Sequence, residues 1–255
     1  PLPSNGMCYP VTSPLRCGRI PVAYLTAADE NIIASPNVYR DGKLLDIILE
    51  SVSKQNIKPS LLLHACCGPC SSYVLEYLMK YFDITIYFYN PNIHPEAEYV
   101  RRLNELKTFL PRFDKDKLTC LYEENYNPEE FFKAVNTEID TELKTESEKG
   151  ERCRRCYKFR MEKAYDFAIR NNFDWFTTTL SISPFKDAQK INVIGQDLQK
   201  QNENGPKFLT SDFKKKGGFK RSLELSEEYG LYRQDYCGCI FSKQNMGKLP
   251  HSADN

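Results

Sequence analysis

The spacing of hydrophobic residues along the chain predicts an alternation of short buried strands and amphipathic helices. Ser60–Ala65 and Asp83–Tyr89 are short apolar or β-branched runs that predict strands, and Ser71–Phe82 between them has the 3.6-residue period of a helix. A helix over Glu96–Leu110 and a third strand over Lys117–Tyr122 continue the pattern. Strands that alternate with helices in this way are typical of an α/β fold, a parallel sheet flanked by helices.

The pattern changes toward both ends of the chain. Residues 1–35 have no helical or strand period, and we interpret them as an irregular extension, whereas Val38–Gln55 has the period of a helix. The elements predicted in the second half are a basic helix from Cys153 to about Arg170, a strand over Phe173–Leu180, a polar helix over Phe185–Gln201 and a short helix over Leu223–Tyr229. We therefore predict an extension over 1–35, one α/β catalytic domain over 36–242 with a loop-rich C-terminal part, and a tail over 243–255.

Composition narrows the class of protein. The chain has 35 Lys and Arg against 34 Asp and Glu, and 41% of its residues are hydrophobic, which is typical of a folded protein. Its apolar runs are far shorter than the roughly 20 residues of a membrane helix, and no secretory signal is visible. These features predict a cytoplasmic protein without a membrane partner.

Cysteine placement points to chemistry. Seven of the ten cysteines fall in three clusters, Cys66-Cys67-Gly68-Pro69-Cys70, Cys153-Arg154-Arg155-Cys156 and Cys237-Gly238-Cys239. Thiols this close together, in a chain without a secretory signal, favour metal or redox chemistry over structural disulfides. We interpret Cys120 as a core thiol and Cys8 and Cys17 as incidental thiols.

The first cluster follows a predicted strand and precedes a predicted helix, where open parallel sheets bind ligands. The helix dipole lowers thiol pKa there, and Ser71 or Ser72 is a candidate cap for the helix. The Cys66-Cys67 pair and the CxxC of the second cluster supply four sulfurs, the count for a 4Fe–4S cluster or a Cys₄ zinc site. Cys70 and the CxC pair are a surplus that structural zinc leaves unexplained. The CxC pair suits a reversible redox couple or the ligation of a second metal.

The near-neutral total charge conceals segregation. Residues 149–163 contain seven Lys and Arg, residues 214–221 contain five, and residues 123–148 contain nine acidic residues against two lysines. Such runs are either solvated faces or binding surfaces, and the position of both basic runs beside cysteine clusters favours a polyanionic substrate.

Other motifs narrow the choice further. The sequence has no GxxxxGK[ST] loop, GxGxxG fingerprint or SGGxDS turn, which argues against nucleotide-driven chemistry. His64, in the first predicted strand, is either a hydrogen-bonded core residue or a group that delivers protons.

Six motifs occur in an order that resembles one family. They are HACCGPCSS, FYNPNIHPEAEYVRR, GERCRRCYKFRME, TTTLSISPFK, SDFKKKGG and YRQDYCGCIFS, and the resemblance runs from about Tyr39 to Ser242, about four-fifths of the chain. Together they resemble the cobalamin-independent epoxyqueuosine reductases, the QueH family.

The resemblance implies a fold like that of the adenine nucleotide alpha-hydrolases (HUP-like) and an iron–sulfur oxidoreductase that converts epoxyqueuosine to queuosine at the wobble position of tRNA. It implies tRNA and an unidentified electron donor as partners. Cys66, Cys67, Cys153 and Cys156 would hold a 4Fe–4S cluster, Cys237 and Cys239 would form a redox-active disulfide pair, and an additional iron ion using Cys70 is an open alternative. Asp212 is a candidate ligand or acid, with a helix cap as the alternative. The residues expected to bind tRNA are Arg152, Arg154, Arg155, Lys158, Lys214, Lys215 and Lys216.

Two other functions stay open on the sequence alone. One is a zinc-stabilised RNA-binding module without redox activity. The other is a thiol-based tRNA sulfurtransferase, which would require ATP and therefore fits poorly with the missing pyrophosphatase turn.

Overall fold

The structure is a computed structural model, and it describes residues 43–54, 58–116 and 119–246. The extension predicted over 1–35, with Cys8 and Cys17, lies outside the described residues, as do 247–255 of the predicted tail. The helices are α1 Lys43–Ser53, α2 Gly68–Leu78, α3 Glu96–Phe113, α4 Pro128–Val135, α5 Glu151–Arg170, α6 Ala188–Gln199, α7 Gly218–Glu228 and α8 Ile240–Met246; the strands are β1 Ser60–His64, β2 Asp83–Phe88, β3 Cys120–Glu123, β4 Trp175–Thr178 and β5 Lys207–Phe208.

The five strands form one sheet in the order β3-β2-β1-β4-β5, and every neighbouring pair is parallel. The chain starts in the middle at β1, moves outward to β3, and returns to place β4 on the other side of β1. In register, Leu61 of β1 lies opposite Ile84 of β2 and Trp175 of β4. The predicted α/β class with a parallel sheet is confirmed, and this architecture is consistent with the predicted HUP-like fold.

Strand β1 is buried on both faces, which explains its continuous apolar sequence. Because successive side chains point to opposite faces, Leu61 and Leu63 contact the core beneath α2 and α3, whereas Leu62 contacts the core beneath α5 and α6. All three leucines have no exposed surface. The sheet therefore fixes where the turns after its strands emerge.

Four differences from the predicted elements have local causes. The strand predicted over Phe173–Leu180 ends at Thr178, because the chain turns into a 3₁₀ helix at Thr179–Ile182. The two-residue β5 is too short to show a period, and α7 begins five residues before its predicted start, after Gly217 in a left-handed conformation (φ 78°). Helix α8 includes residues 243–246, which the sequence pattern had placed in the tail.

Candidate active site

The site lies where the strand order reverses. Strands β1 and β4 are neighbours, but the chain leaves them in opposite directions, so the turns after them diverge and leave a crevice at the carboxyl edge of the sheet. Cys66 and Cys67 follow β1, and Cys66 Sγ lies 3.8 Å from Oγ1 of Thr179, which follows β4. The cysteine turn therefore occupies the place where this class of fold binds its ligands.

Cys67 is the N-cap residue of α2, and no side chain caps this helix. The predicted capping role of Ser71 or Ser72 is therefore wrong: both hydroxyls donate backward to carbonyl groups, Ser71 to that of Cys67 at 2.7 Å and Ser72 to that of Pro69 at 3.0 Å. With extended backbone at Cys67 and proline at the start of α2, the thiols project from the positive end of the helix.

Cys66, Cys67 and Cys70 form a compact group whose three sulfurs all lie within 4.8 Å of one another. The sulfurs of Cys66 and Cys67 are 3.7 Å apart, and Gln234 Nε2 donates to Cys67 Sγ at 3.1 Å. Cys67 is fully buried and Cys66 nearly so. Three converging sulfurs in a buried turn could hold a metal ion or part of a cluster.

The pKa values of the three thiols are shifted in opposite directions by their mutual contacts. Hydrogen bonds from Cys67 and Cys70 hold the pKa of Cys66 well below its usual value. The same contact with Cys66 raises the pKa of Cys67 to about 12, and hydrogen bonds to Cys66 and Cys67 raise that of Cys70. Without a cation, only one thiolate is therefore favoured; a metal ion would displace the remaining protons.

The second and third clusters meet each other. Cys153 and Cys156 lie in the first turns of α5, whose N-terminal N–H groups at Glu151 and Arg152 both donate to the carboxylate of Glu146 at 2.7 Å. These two cysteines line a cavity of about 20 Å³ together with Cys237 and Cys239. The structure thus brings the CxxC and CxC motifs to one place.

The Cys237–Cys239 pair is electrostatically asymmetric. A hydrogen bond from Cys239 is the largest cause of a lowered pKa at Cys237, and the ammonium of Lys186 acts in the same direction. The pKa of Cys239 is raised by the same bond and by burial. These shifts favour a thiolate at Cys237 and a thiol at Cys239, the pairing that thiol–disulfide exchange requires.

Lys186 connects the cysteine groups. It lines the small cavity with the four cysteines and also a larger one of about 660 Å³ that includes Cys66, Cys70 and Cys237. Although burial opposes its charge, the nearby Cys237 thiolate is the first of several groups that raise its pKa, so Lys186 is an ammonium. Its Nζ lies 5.9 Å from the ring centre of Tyr157.

The larger cavity has the size of a small-molecule site and an apolar wall with a few polar groups. Phe185 is 65% exposed and stands beside Lys186 in the loop before α6. Phe219, Arg233 and Gln234 also line this cavity. The sequence pattern does not mark these residues or Lys186 as site residues. The available signal is an aromatic residue and a lysine directly after Ser183-Pro184, in the turn beyond a buried strand.

Buried cations surround the cysteines. Arg152 is 1% exposed and Arg160 is 2% exposed. Within the described residues, Nε and Nη2 of Arg152, Nε of Arg160 and the hydroxyl of Tyr157 have no hydrogen-bond partner. Unpaired buried donors next to a cavity lined by four sulfurs fit an anionic group, such as an iron–sulfur cluster held by thiolates, better than they fit a closed apolar core.

A family model described as "Epoxyqueuosine reductase QueH" matches residues 61–245, which include all seven clustered cysteines. The chain belongs to the QueH family. Curated relatives carry this name. The protein of Streptococcus pyogenes serotype M1 is 44% identical over 76% of this chain and 74% of its own length. The protein of Staphylococcus aureus is 41% identical over 80% of this chain and 84% of its own length. The relative from Thermotoga maritima is 35% identical over 72% of this chain and 90% of its own length. The resemblance seen in the sequence motifs is confirmed.

Not all residues predicted to act in this QueH-family site reach the cysteines. In the described part of the chain, neither cavity lined by cysteines includes Asp212. Its carboxylate pairs with Lys214 and lies 4.0 Å from Lys215, and the N-cap of α7 is Gly217. Asp212 therefore lines neither of these cavities and does not cap that helix.

The predicted RNA-binding residues fall into two groups. Arg152 is interior: it donates to the carbonyl of Leu143 and stacks over Phe241, which corrects its predicted role as a surface phosphate contact. The others are partly or fully exposed and already have acidic neighbours, namely Arg154 with Glu151 at 2.6 Å, Arg155 with Asp140 at 2.6 Å, Lys158 with Glu162, and Lys216 with Asp46.

His64 is a core residue. It has no exposed surface, its Nε2 donates to the carbonyl of Tyr89 at 3.1 Å, and its Nδ1 accepts from the hydroxyl of Thr178 at 2.8 Å. Burial, with the nearby Arg160, lowers its pKa to about 3. A neutral ring with both nitrogens engaged does not deliver protons at neutral pH.

No helix in the described segments is both long enough and apolar enough to cross a bilayer.

Proposed function

We propose that this protein reduces epoxyqueuosine to queuosine at the wobble position of tRNA. The observation that carries the proposal is that all three cysteine clusters contribute to two cavities that share Lys186 and Cys237, in a chain of the QueH family. A protein that only stabilises its fold with zinc needs four sulfurs. This chain has seven clustered cysteines, and Cys66, Cys70 and Cys237 line the substrate-sized cavity, which suits redox catalysis. A tRNA substrate agrees with the predicted cytoplasmic location, which stays a prediction.

The thiols divide by role. Cys66, Cys67, Cys153 and Cys156 would hold a 4Fe–4S cluster, and Cys70 would hold an additional iron ion beside it. When bound, these groups supply electrons one at a time and a Lewis acid for the epoxide oxygen. The unpaired donors of Arg152 and Arg160 support this assignment, because they would stabilise the negative charge of a thiolate-bound cluster.

Cys237 and Cys239 would supply the two electrons and two protons that the reaction consumes. Removing the oxygen of an epoxide to give an alkene and water consumes two electrons and two protons. Two thiols that become one disulfide release two electrons and two protons, so the equation closes with one substrate, one dithiol, one alkene, one water and one disulfide. An external electron donor then reduces the disulfide.

The cavity residues bind and orient the substrate. Phe185, exposed at the wall of the larger cavity, presents an aromatic face on which an unpaired base stacks. Lys186 adds to the hydrogen bond from Cys239 in favouring the thiolate form of Cys237, and its ammonium group, which lines both cavities, carries a proton beside the substrate. Arg233, also on the wall, offers a cation to the phosphate of the same nucleotide.

The outer basic residues position the tRNA. Arg154, Arg155 and Lys158 lie on α5, whose first turns carry two of the proposed cluster ligands, and Lys214, Lys215 and Lys216 lie between β5 and α7. Their acidic partners are partly exposed, so phosphate groups compete for these cations with little desolvation cost. Such contacts fix the position of the RNA without reading its bases.

Metal analysis tests the cluster assignment. Protein reconstituted with iron and sulfide under anaerobic conditions is expected to contain about four sulfides per chain and to lose most of them in Cys66→Ala. Cys120→Ala is the matched control, because Cys120 lies in the edge strand β3 and lines neither cysteine-lined cavity. Zinc in place of iron, with no bound sulfide, would favour the zinc-stabilised RNA-binding module instead.

The activity itself is tested with tRNA that carries epoxyqueuosine. Anaerobic incubation with reconstituted protein and a reductant is expected to yield queuosine, detected by mass spectrometry of the digested nucleosides. Cys237→Ser is expected to abolish turnover. Unchanged epoxyqueuosine after incubation with the iron-loaded wild-type protein would contradict the proposal.

A further inference from the structure

A second cavity adjoins the proposed active site. Its volume is about 470 Å³, and Asp235 and Tyr236 line both it and the larger cysteine-lined cavity. The two cavities are therefore separated by the width of one chain segment. The rest of the second wall comes from the start of α3 and from Tyr232 and Lys243, and no cysteine lines it.

A flat cationic surface forms one wall of this cavity. The guanidinium carbon of Arg101 lies 3.3 Å from the ring centre of Tyr232, so the two planar groups are in direct contact. Arg101 is exposed on α3 and lines the cavity, which leaves its outer face available to a ligand. Tyr232 is fixed from behind, because its N–H donates to the carboxylate of Glu105 and its hydroxyl lies 3.5 Å from Glu98.

The edges of the cavity carry polar groups of both signs. The ammonium of Lys243 is exposed and lies 5.7 Å from the ring centre of Tyr236. The carboxylate of Asp235 is also exposed at the shared wall. A planar ligand with an amino group on its edge and a phosphate attached would find a partner for each part.

We infer that this second cavity binds the base of the nucleotide next to the modified one, stacked on Arg101, with Tyr232 behind the guanidinium. The inference rests on the proposed function. When one base of an anticodon loop is drawn into the cysteine-lined cavity, its neighbour loses a stacking partner. Arginine planes and aromatic rings are the surfaces that proteins use to replace that stacking in single-stranded RNA.

The arrangement explains why Tyr236 separates two cavities without contributing a redox group. Consecutive nucleotides are joined by one phosphate, so two bases that splay apart reach both sides of a narrow wall. The Tyr236 hydroxyl donates to the carbonyl of His94, which holds that wall in place. Lys243, at the end of the wall, is close enough to the second cavity to contact the joining phosphate.

A cycle of protein and RNA changes tests the subsite. Binding of an anticodon stem-loop is measured by fluorescence anisotropy for intact RNA and for two RNAs that lack the base on either side of the wobble position. With wild-type protein, one of the two abasic RNAs is expected to bind about tenfold more weakly. Arg101→Ala or Tyr232→Ala is expected to bind intact RNA about as weakly as wild-type protein binds that abasic RNA. Removing the base should then weaken the binding of these variants little further.

Two further variants separate stacking from loss of folding. Tyr232→Phe keeps the ring and is expected to retain most of the affinity, and Val100→Ala, the exposed neighbour of Arg101, should behave as wild type. The inference is overturned if removal of either base lowers the affinity by the same factor for Arg101→Ala as for wild-type protein. If the wild-type protein binds no anticodon stem-loop and reduces no epoxyqueuosine, the proposed function fails together with the subsite. If epoxyqueuosine is reduced but the effects of the protein and RNA changes are simply additive, only the proposed subsite is overturned.

Discussion

The guanidinium of Arg102 donates to the carbonyl oxygen of Cys237 at 3.3 Å, although the two residues are 135 positions apart in the chain. Arg102 also donates to the carbonyl of Tyr236 at 3.4 Å and, through Nε, to Glu98 at 2.7 Å. It has no exposed surface. Arg102 thus attaches the turn that carries Cys237 and Cys239 to helix α3, and this attachment gives the proposed redox pair a fixed position.

Replacing Arg102 is therefore expected to destabilise the protein strongly. Arg102→Ala leaves Glu98 without its buried partner and two carbonyl groups without a donor, which costs about 3–5 kcal/mol of unfolding free energy. The measurement is urea unfolding of the metal-free protein. Arg101→Ala, at the exposed neighbouring position, removes a contact with the Tyr232 ring and should lower the unfolding free energy by about 1 kcal/mol or less. Equal stabilities of the two variants would show that Arg102 does not hold this turn.

Gly238 offers a second test of the same turn. It has φ 109°, and a Cβ there would lie 3.0 Å from both Arg102 Nη1 and Ile93 Cγ1. Gly238→Ala is expected to cost about 2–3 kcal/mol from backbone strain and crowding. Gly217, with φ 78° and nothing within 4 Å of an added Cβ, is the matched control and should cost about 1 kcal/mol. Thermal unfolding of the two variants compares them, and a smaller cost at Gly238 would refute the close approach.

The thiolate at Cys237 predicts a pH-dependent reactivity. Its pKa is lowered chiefly by the hydrogen bond from Cys239 and further by Lys186. Lys186→Met removes the positive charge, so the pKa of Cys237 rises and less thiolate is present at neutral pH. The rate of iodoacetamide alkylation at Cys237 in reduced, metal-free protein is expected to fall several-fold at pH 7.

Mass spectrometry of the digested protein assigns the alkylated residue, and the pH profile provides the control. Since the lysine changes only the fraction of thiolate, wild type and Lys186→Met should react at similar rates once the pH exceeds the raised pKa. A constant ratio of the two rates at every pH would mean that Lys186 affects access to Cys237 rather than its charge.

The basic segment before α7 predicts a salt-dependent affinity. Replacing Lys214, Lys215 and Lys216 together by alanine is expected to weaken tRNA binding about tenfold and to lower the slope of log Kd against log salt concentration by about 2. Lys200→Ala, at the C-cap of α6 and outside this basic segment, should leave both the affinity and the slope unchanged. An unchanged slope in the triple variant would show that these lysines pair only with their acidic neighbours and do not contact phosphate groups.

Local signals predicted much of the fold and part of the site. The β-branched and apolar runs at Ser60–Ala65 and Asp83–Tyr89 form strands, and the cysteine turn follows the first of them at the edge of the sheet. Both features could be predicted because they depend on residues that are close together in the sequence. The assignments of individual thiols to a cluster or a redox pair stay predictions. What the sequence could not indicate is which cysteines meet: Cys153 and Cys156 share a cavity with Cys237 and Cys239 through contacts between segments about 80 residues apart.

Arg152 illustrates the same limit for charge. In the sequence it belongs to a basic run, yet it is buried because the turn of residues 143–144 accepts its hydrogen bonds and Phe241 covers it. Phe185 illustrates the converse, since its place directly after Ser183-Pro184 indicates a turn but does not show that its ring stands exposed beside a cavity. Both depend on tertiary neighbours that periodicity does not encode.

The most direct test of the central claim is a single-turnover reaction without oxygen. Iron-loaded protein, reduced and then freed of excess reductant, is mixed with a slight deficit of tRNA that contains epoxyqueuosine, and the nucleosides are analysed by mass spectrometry. The account predicts queuosine, one oxygen lighter than the substrate, together with a new disulfide between Cys237 and Cys239. Epoxyqueuosine recovered intact, with both thiols still reduced, would contradict it.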